Sequence, residues 1–333
     1  MSMSALAQKL VAALASREDR DIRRRLPSPS LSLPPPTPDI SRSDAFTSTA
    51  ATTTSATTTT TTTPAAPTSD KSTRPPRPAA PADFSSNDYL SLSSSPLLRA
   101  RLLAALNAAP SILGSGGSRL LVYNHPHAAL EARLARSFHA PAALLFNSGF
   151  DANAGFFACI PQPGDALLYD AAIHASVHDG ARASRVAPRL RRPFAHNDVR
   201  ALRAALRELR AECPALRLRD SEGGESSVFV AVESVYSMDG TVAPLRAMLG
   251  VMDEVFPVGN AHLVVDEAHA TGIYGPGGRG MVALLGLEDR VLARLHTFGK
   301  ALAASGGVCA PKTAGMHALM IFRGRRRNSQ PCY

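Results

Sequence analysis

Lys300 follows a short apolar run in LHTFGKALAASGG, where its amine could condense with an aldehyde to form a Schiff base. Alone, a lysine after a strand is most simply a solvated surface residue, so its neighbours must decide. Upstream, HLVVDEAHATGIYGPGGRG ends an apolar run on Asp266, with His269 shortly after it. A carboxylate desolvated at a strand end can keep a pyridinium nitrogen protonated and so maintain an aromatic ring as an electron sink. The imidazole would stand near the phenolic oxygen of such a ring. Earlier in the chain, ALLFNSGFDANAGFF reads as a strand, a glycine turn and a helix opening near Phe150. A helix N-terminus, with unpaired N–H groups and a positive dipole end, suits a phosphate. His174 in DAAIHASVHDG follows a run ending at Asp170 and could stack on the ring. Taken singly, a plain strand-to-helix turn and a packing histidine are the simpler readings of these last two pieces. Together, amine, carboxylate, imidazole and phosphate cradle make the constellation of a pyridoxal-phosphate (PLP) site.

Such groups must be brought together by a scaffold. Beyond Asp83, short apolar runs alternate with longer helical stretches, the pattern of an α/β fold around a mostly parallel sheet. Strands are predicted over 143–146, 166–169, 227–233, 262–266 and 295–298, and helices include 128–138, 199–211 and 245–255. Small and polar residues follow the strands directly: Asn147–Ser148–Gly149, Asp170, Ser234, Asp266–Glu267 and Gly299–Lys300. In open α/β sheets this carboxyl-end rim is where ligands bind.

The rest of the chain is less informative. Residues 1–26 read as a helix, with Leu6, Leu10 and Leu14 on one face and Arg23, Arg24 and Arg25 at its end. Glu18, Asp19 and Asp21 interrupt its basic face, unlike a transit peptide. Residues 27–81 are rich in Ser, Thr and Pro, including the run Thr57–Thr63, and read as a disordered linker or insertion. With 333 residues and 45% hydrophobic content, the chain can bury a large core. Its four cysteines form no CxxC pair, so neither a metal site nor a disulfide framework is expected. The net charge of +9 is carried by dispersed arginines, which fits an enzyme with anionic ligands better than a nucleic-acid or membrane partner. No run reaches the roughly 18 apolar residues of a membrane span. A cytoplasmic location is expected, with mitochondrion and peroxisome left open.

The segments NDYLSL, GSGGSRLL, FNSGFDAN, HASVHDG, FAHNDV, ESVYSMDGTVAPL, VVDEAHATGIYGPGGRG and TFGK occur in the order and approximate spacing of the α-oxoamine synthases. These are PLP enzymes that condense an amino acid with an acyl-CoA. FAHNDV and SMDG are most similar to the branch that serves biotin biosynthesis. The resemblance implies a PLP-dependent transferase of fold type I, aminotransferase-like, whose large domain spans 82–307. It also implies a homodimer in which 114–119 approaches the partner's cofactor. The implied reaction joins L-alanine to an acyl-CoA and decarboxylates the product to an aminoketone. By the same resemblance Lys300 bears PLP, Asp266 partners the pyridine nitrogen and His174 stacks on the ring. Ser237 and His269 lie near the phenolic oxygen. Gly149 and Phe150 offer backbone N–H groups to the phosphate, Thr297 its hydroxyl, and Arg23 reaches the acyl substrate.

After Ser305–Gly306–Gly307 the resemblance breaks off, and 308–333 reads as an aberrant basic tail. The family's small C-terminal domain, which carries the arginine that clamps the amino-acid carboxylate, is therefore expected to be missing. The turn VYNHPH also lacks the family's glycine. Two competing expectations follow: a synthase using glycine, serine or a secondary-metabolite chain, and a truncated, catalytically inactive PLP-binding protein. The letters DEAH also occur in RNA helicases, which need an upstream GxxxxGK[ST] loop. Here the Gly299–Lys300 pair lies downstream and is followed by Ala301, so the helicase reading is set aside.

Overall fold

The computed structural model describes residues 83–113, 125–217, 226–257 and 259–313, together with Met316 and Met320. These fall in one unit, Pro78–Tyr333. The expected N-terminal helix, the Ser/Thr/Pro-rich stretch, Arg23 and 114–119 lie outside the described residues.

Seven strands form one sheet: β1 (Leu144–Phe146), β2 (Ala166–Asp170), β3 (Arg191–Phe194), β4 (Val228–Glu233), β5 (Ala261–Asp266), β6 (Ala293–Thr297) and β7 (Gly307–Pro311). Their order is β1-β7-β6-β5-β4-β2-β3. β7 runs antiparallel to β1 and β6, while the other neighbouring pairs are parallel. The α/β class and mostly parallel sheet expected from the sequence are thus observed. Parallel strands are covered on both faces and so read as unbroken apolar runs. β4, VFVAVE, is buried at every position.

Helices cover both faces. The described helices are α1 (Pro96–Ala108), α2 (His125–Ser137), α3 (Gly149–Cys159), α4 (Ala175–Ala183), α5 (Val199–Glu212), α6 (Leu245–Val255) and the short α7 (Met281–Leu284). On one face α5 presents Leu202, Leu206 and Leu209, all fully buried, and packs with α6 over β2, β4 and β5. Asp198 caps α5, accepting from the N–H groups of Arg200 and Ala201 at 2.7 and 3.0 Å. On the other face α3 and α4 pack closely: a Cβ at Gly180 would lie 2.8 Å from the Ala154 carbonyl and from Phe157 Cβ. That close approach brings the N-termini of both helices to the same rim of the sheet. No helix among the described residues is long and apolar enough to cross a membrane.

Three departures from the sequence expectation concern the sheet. The predicted strand 295–298 begins earlier, at Ala293. The edge strand β3, RRPF, shows no apolar alternation; arginines and a proline suit an unpaired edge and hide its strand character. β7 begins on Gly307, where the domain was expected to end, and all five of its residues are buried. Residues 308–311 are therefore core rather than tail, and Met320 is buried against the α3 face. GVCAP is a short central strand without polar punctuation, so neither period nor flanking residues mark it.

Candidate active site

The carboxyl ends of β2, β4, β5 and β6 deliver Asp170, Glu233, Asp266 and Thr297 to one rim. Glu233 and Asp266 are register partners across β4 and β5. Asp266 is buried, and both its oxygens are engaged. Asn153 of α3 donates its Nδ2 to Oδ2 at 2.6 Å, and the Ala268 N–H donates to Oδ1 at 2.8 Å. The carbonyl oxygen of Asn153 is buried with no hydrogen-bond partner. A carboxylate oxygen accepts more than one hydrogen bond, so Asp266 keeps the capacity to meet a ring N–H.

Lys300 stands just past β6. Its Nζ lies 2.8 Å from His269 Nε2, and His269 Nδ1 lies 2.8 Å from the Tyr89 hydroxyl. That hydroxyl in turn donates to Asn87 Oδ1 at 3.0 Å. Burial lowers the amine's pKa below the ordinary lysine range, against the opposing pull of Asp266 and Glu233. Burial, reinforced by Lys300 and His174, pushes His269 down to about 4, so the imidazole is neutral at physiological pH. A half-desolvated amine of lowered pKa is the form in which lysine attacks carbonyls.

A third component sits across from the amine. Ser148 caps α3, accepting from the Asp151 N–H at 3.0 Å, and the amides of Gly149 and Phe150 open the same turn. This helix end presses on β6: a Cβ at Gly149 would lie 2.7 Å from Thr297 Cβ and 3.0 Å from its hydroxyl oxygen. The absence of a side chain at Gly149 therefore lets the Thr297 hydroxyl approach the first-turn amides, a donor set suited to a phosphate. Phe150 meets His174 edge-on, with ring centroids 5.9 Å apart. His174 caps α4 and contacts the Ser176 hydroxyl through Nδ1 at 2.7 Å, leaving the imidazole exposed on the rim.

Of the residues expected at the site, Lys300, Asp266, His269, Thr297, Gly149, Phe150 and His174 come to this rim. Ser237 lies exposed on a turn after β4, and among the described residues no hydrogen bond links it to Lys300 or His269. Three further residues join the site without having been singled out: Asn153, Tyr89 and Glu233. All three lie inside quoted segments, FNSGFDAN, NDYLSL and ESVYSMDGTVAPL. A polar Asn on an apolar helix face was the available signal for Asn153.

FAHNDV and SMDG prove to be one physical unit. His196 Nδ1 contacts the buried Asp170 at 2.7 Å, while its Nε2 lies 2.9 Å from the Thr241 hydroxyl and 3.3 Å from Asp239. Asn197 adds a bond to Thr241 at 3.0 Å.

Comparison with known proteins places this geometry. The aminotransferase class I and II family matches residues 81–326. The chain belongs to this family. Within it, the likeness to α-oxoamine synthases holds. The chain is 52% identical over 235 residues to an 8-amino-7-oxononanoate synthase of Emericella nidulans, covering 69% of this chain and 55% of the relative. It is 43% identical over 249 residues to the aminoacyl transferase sphA of Aspergillus fumigatus, covering 74% and 52%. Among solved structures, a serine palmitoyltransferase from S. paucimobilis with bound PLP–myriocin aldimine superposes with a TM-score of 0.59 at 30% identity, over 70% of this chain and 55% of that one. The chain thus spans about half the length of the curated relatives it matches. As a family match, 81–326 also runs beyond Gly307 and through β7.

Proposed function

We propose that this chain binds PLP and serves the condensation of an amino acid with an acyl-CoA, followed by decarboxylation to an aminoketone. L-alanine is the favoured amino acid, on the strength of the 8-amino-7-oxononanoate synthase relative. One observation carries the cofactor assignment: an amine, a buried carboxylate and a helix N-terminus with an adjacent hydroxyl converge on one sheet rim. Lys300 is the attachment point, Asp266 meets the ring nitrogen, and His174 covers a ring face. The amides of Gly149 and Phe150, with the Thr297 hydroxyl, hold the phosphate. When bound, PLP supplies the electron sink for the bond broken at the amino acid's α-carbon. With its amine free, Lys300 would take the amino acid's α-proton at Nζ. Neutral His269 keeps that amine oriented through Nε2.

Mixing the protein with PLP should give a visible absorbance band, and borohydride should fix the cofactor on Lys300. Lys300→Ala should show neither. A wild-type protein without band or adduct would sink the assignment.

A second reading, a PLP-binding chain without synthase turnover, is favoured by a specific observation. Among the described residues, Lys300 is the cation that acts on Glu233 and His269, and no arginine joins it there. Recognition of an amino-acid carboxylate calls for a separate, preferably bidentate cation. Turnover of alanine and an acyl-CoA by the 333-residue chain decides between the two readings.

We also infer a homodimer. α1 buries none of its residues, and Leu97, Leu98, Leu102, Leu103 and Leu106 are all exposed on it. A second copy would cover that apolar surface.

A further inference from the structure

Asp170, Glu233 and Asp266 end β2, β4 and β5, three adjacent strands, and all three carboxyls are buried. Their partners are unequal. Asp266 is held by Asn153 Nδ2 and the Ala268 N–H. Asp170 is held by His196 at 2.7 Å and by the N–H groups of Ala172 and Asn197 at 2.9 and 2.8 Å. Glu233 accepts from the backbone N–H of His174. A buried carboxylate is tolerated in proportion to the donors and cations around it. Lys300 cannot neutralise two neighbouring carboxylates at once, and Asp266 is the better solvated by protein. By this comparison Glu233 is the group that gives up its charge.

We propose that Glu233 is a positioning residue that stands protonated in the working site, a neutral acceptor that pins the cap of α4, and with it the His174 ring, beside Asp266 and Lys300. The role of the ring rests on the PLP reading above; the proton does not. Burial, then repulsion by Asp266, push the Glu233 carboxyl up to about 8, against the pull of Lys300 and the His174 N–H and with a further push from Asp170. The consequence reaches the amine. An ionised Glu233 would draw Lys300 toward its ammonium form, because it raises the amine's pKa. A neutral one leaves more of the amine free to attack.

The test compares wild type with Glu233→Gln, whose amide mimics a neutral carboxyl and cannot ionise. In the unfolded chain Glu233 titrates near 4.5 and in the folded one near 8. The folded state therefore holds a proton that the unfolded state has lost. This stabilisation is complete below the lower value and is lost as pH rises through the upper one. In ligand-free protein, the urea midpoint of Glu233→Gln should thus rise relative to wild type across that window. A difference that does not change with pH overturns the proposal, as does a Glu233→Gln protein that fails to fold, since the isostere of a neutral carboxyl must be accepted. A second measurement reads positioning through PLP affinity by absorbance. Glu233→Gln should stay within about twofold of wild type and Glu233→Ala should bind roughly tenfold more weakly, the value of one hydrogen bond. Equal losses in both variants would show that the charge is needed and overturn the proposal. If wild type binds no PLP, the cofactor reading fails, while the pH comparison still decides the proton.

Discussion

The side chains of Lys300 and His269 meet at 2.8 Å, Nζ to Nε2, and the imidazole passes the contact on to Tyr89 through Nδ1. An ammonium has no acceptor, so while Lys300 is protonated Nε2 must accept and Nδ1 must carry the hydrogen. The amine therefore fixes the tautomer of the histidine beside it.

This pairing predicts a pH effect. His269 is pushed from 6.5 down to about 4, so the folded chain refuses a proton that the unfolded chain takes up. Its contribution to stability is present above the upper value and lost as pH falls toward the lower one. His269→Gln should show a shallower loss of urea midpoint across that interval than wild type. Parallel pH curves for the two proteins would count against a neutral, buried imidazole.

Asp266→Asn should retain the fold yet slow α-proton exchange of PLP-bound alanine by at least about a hundredfold, on the order of 3 kcal/mol for a broken buried ion pair. Proton NMR in D2O measures the exchange. Wild-type exchange in the variant would remove Asp266 from its role.

Gly149→Ala should weaken both the fold and phosphate binding, because the new Cβ would lie 2.7 Å from Thr297 Cβ. Overpacking of this kind costs about 1 to 3 kcal/mol. Urea denaturation and PLP titration read the two losses, and an unchanged protein would show that α3 does not press on β6 as described.

His196→Ala should cost about 1 to 3 kcal/mol by stripping a partner from the buried Asp170 and releasing Thr241. Hydrogen exchange should speed up selectively over 237–241. Uniform change across the chain would argue against a local latch.

Leu102→Glu, on the exposed surface of α1, should convert a dimer to monomers in light scattering while leaving the urea midpoint of the monomer little altered. A wild-type monomer at tens of micromolar, a concentration on the order of common interface affinities, would dismiss the dimer.

The sequence made some of this legible and not the rest, for reasons that particular residues illustrate. Lys300, Asp266 and His174 could be read because each follows an apolar run and stands in a chemically distinctive segment. Asn153, Tyr89 and Glu233 could not be given their roles, because those roles exist only across the fold. Asn153 and Asp266 are 113 positions apart, and Tyr89 and His269 are 180 apart. The same limit hid β7, which is flanked by the preceding strand β6 on one side and by the distant β1 on the other.

That placement of β7 also orders events during synthesis. Among the described residues β1 pairs with β7 and with no other strand, so 144–146 wait for 307–311 before they are paired in that sheet. At the usual pace of translation the wait is on the order of ten seconds. The turn after β1 waits as well, since a Cβ at Gly307 would lie 2.6 Å from the Gly149 amide nitrogen, so closely do the two segments pack. The N-terminal turn of α3 is thus assembled late in the folding of the domain. On the ribosome, a ligand proposed for that turn would act as a clamp on the finished sheet and not as a template for building it.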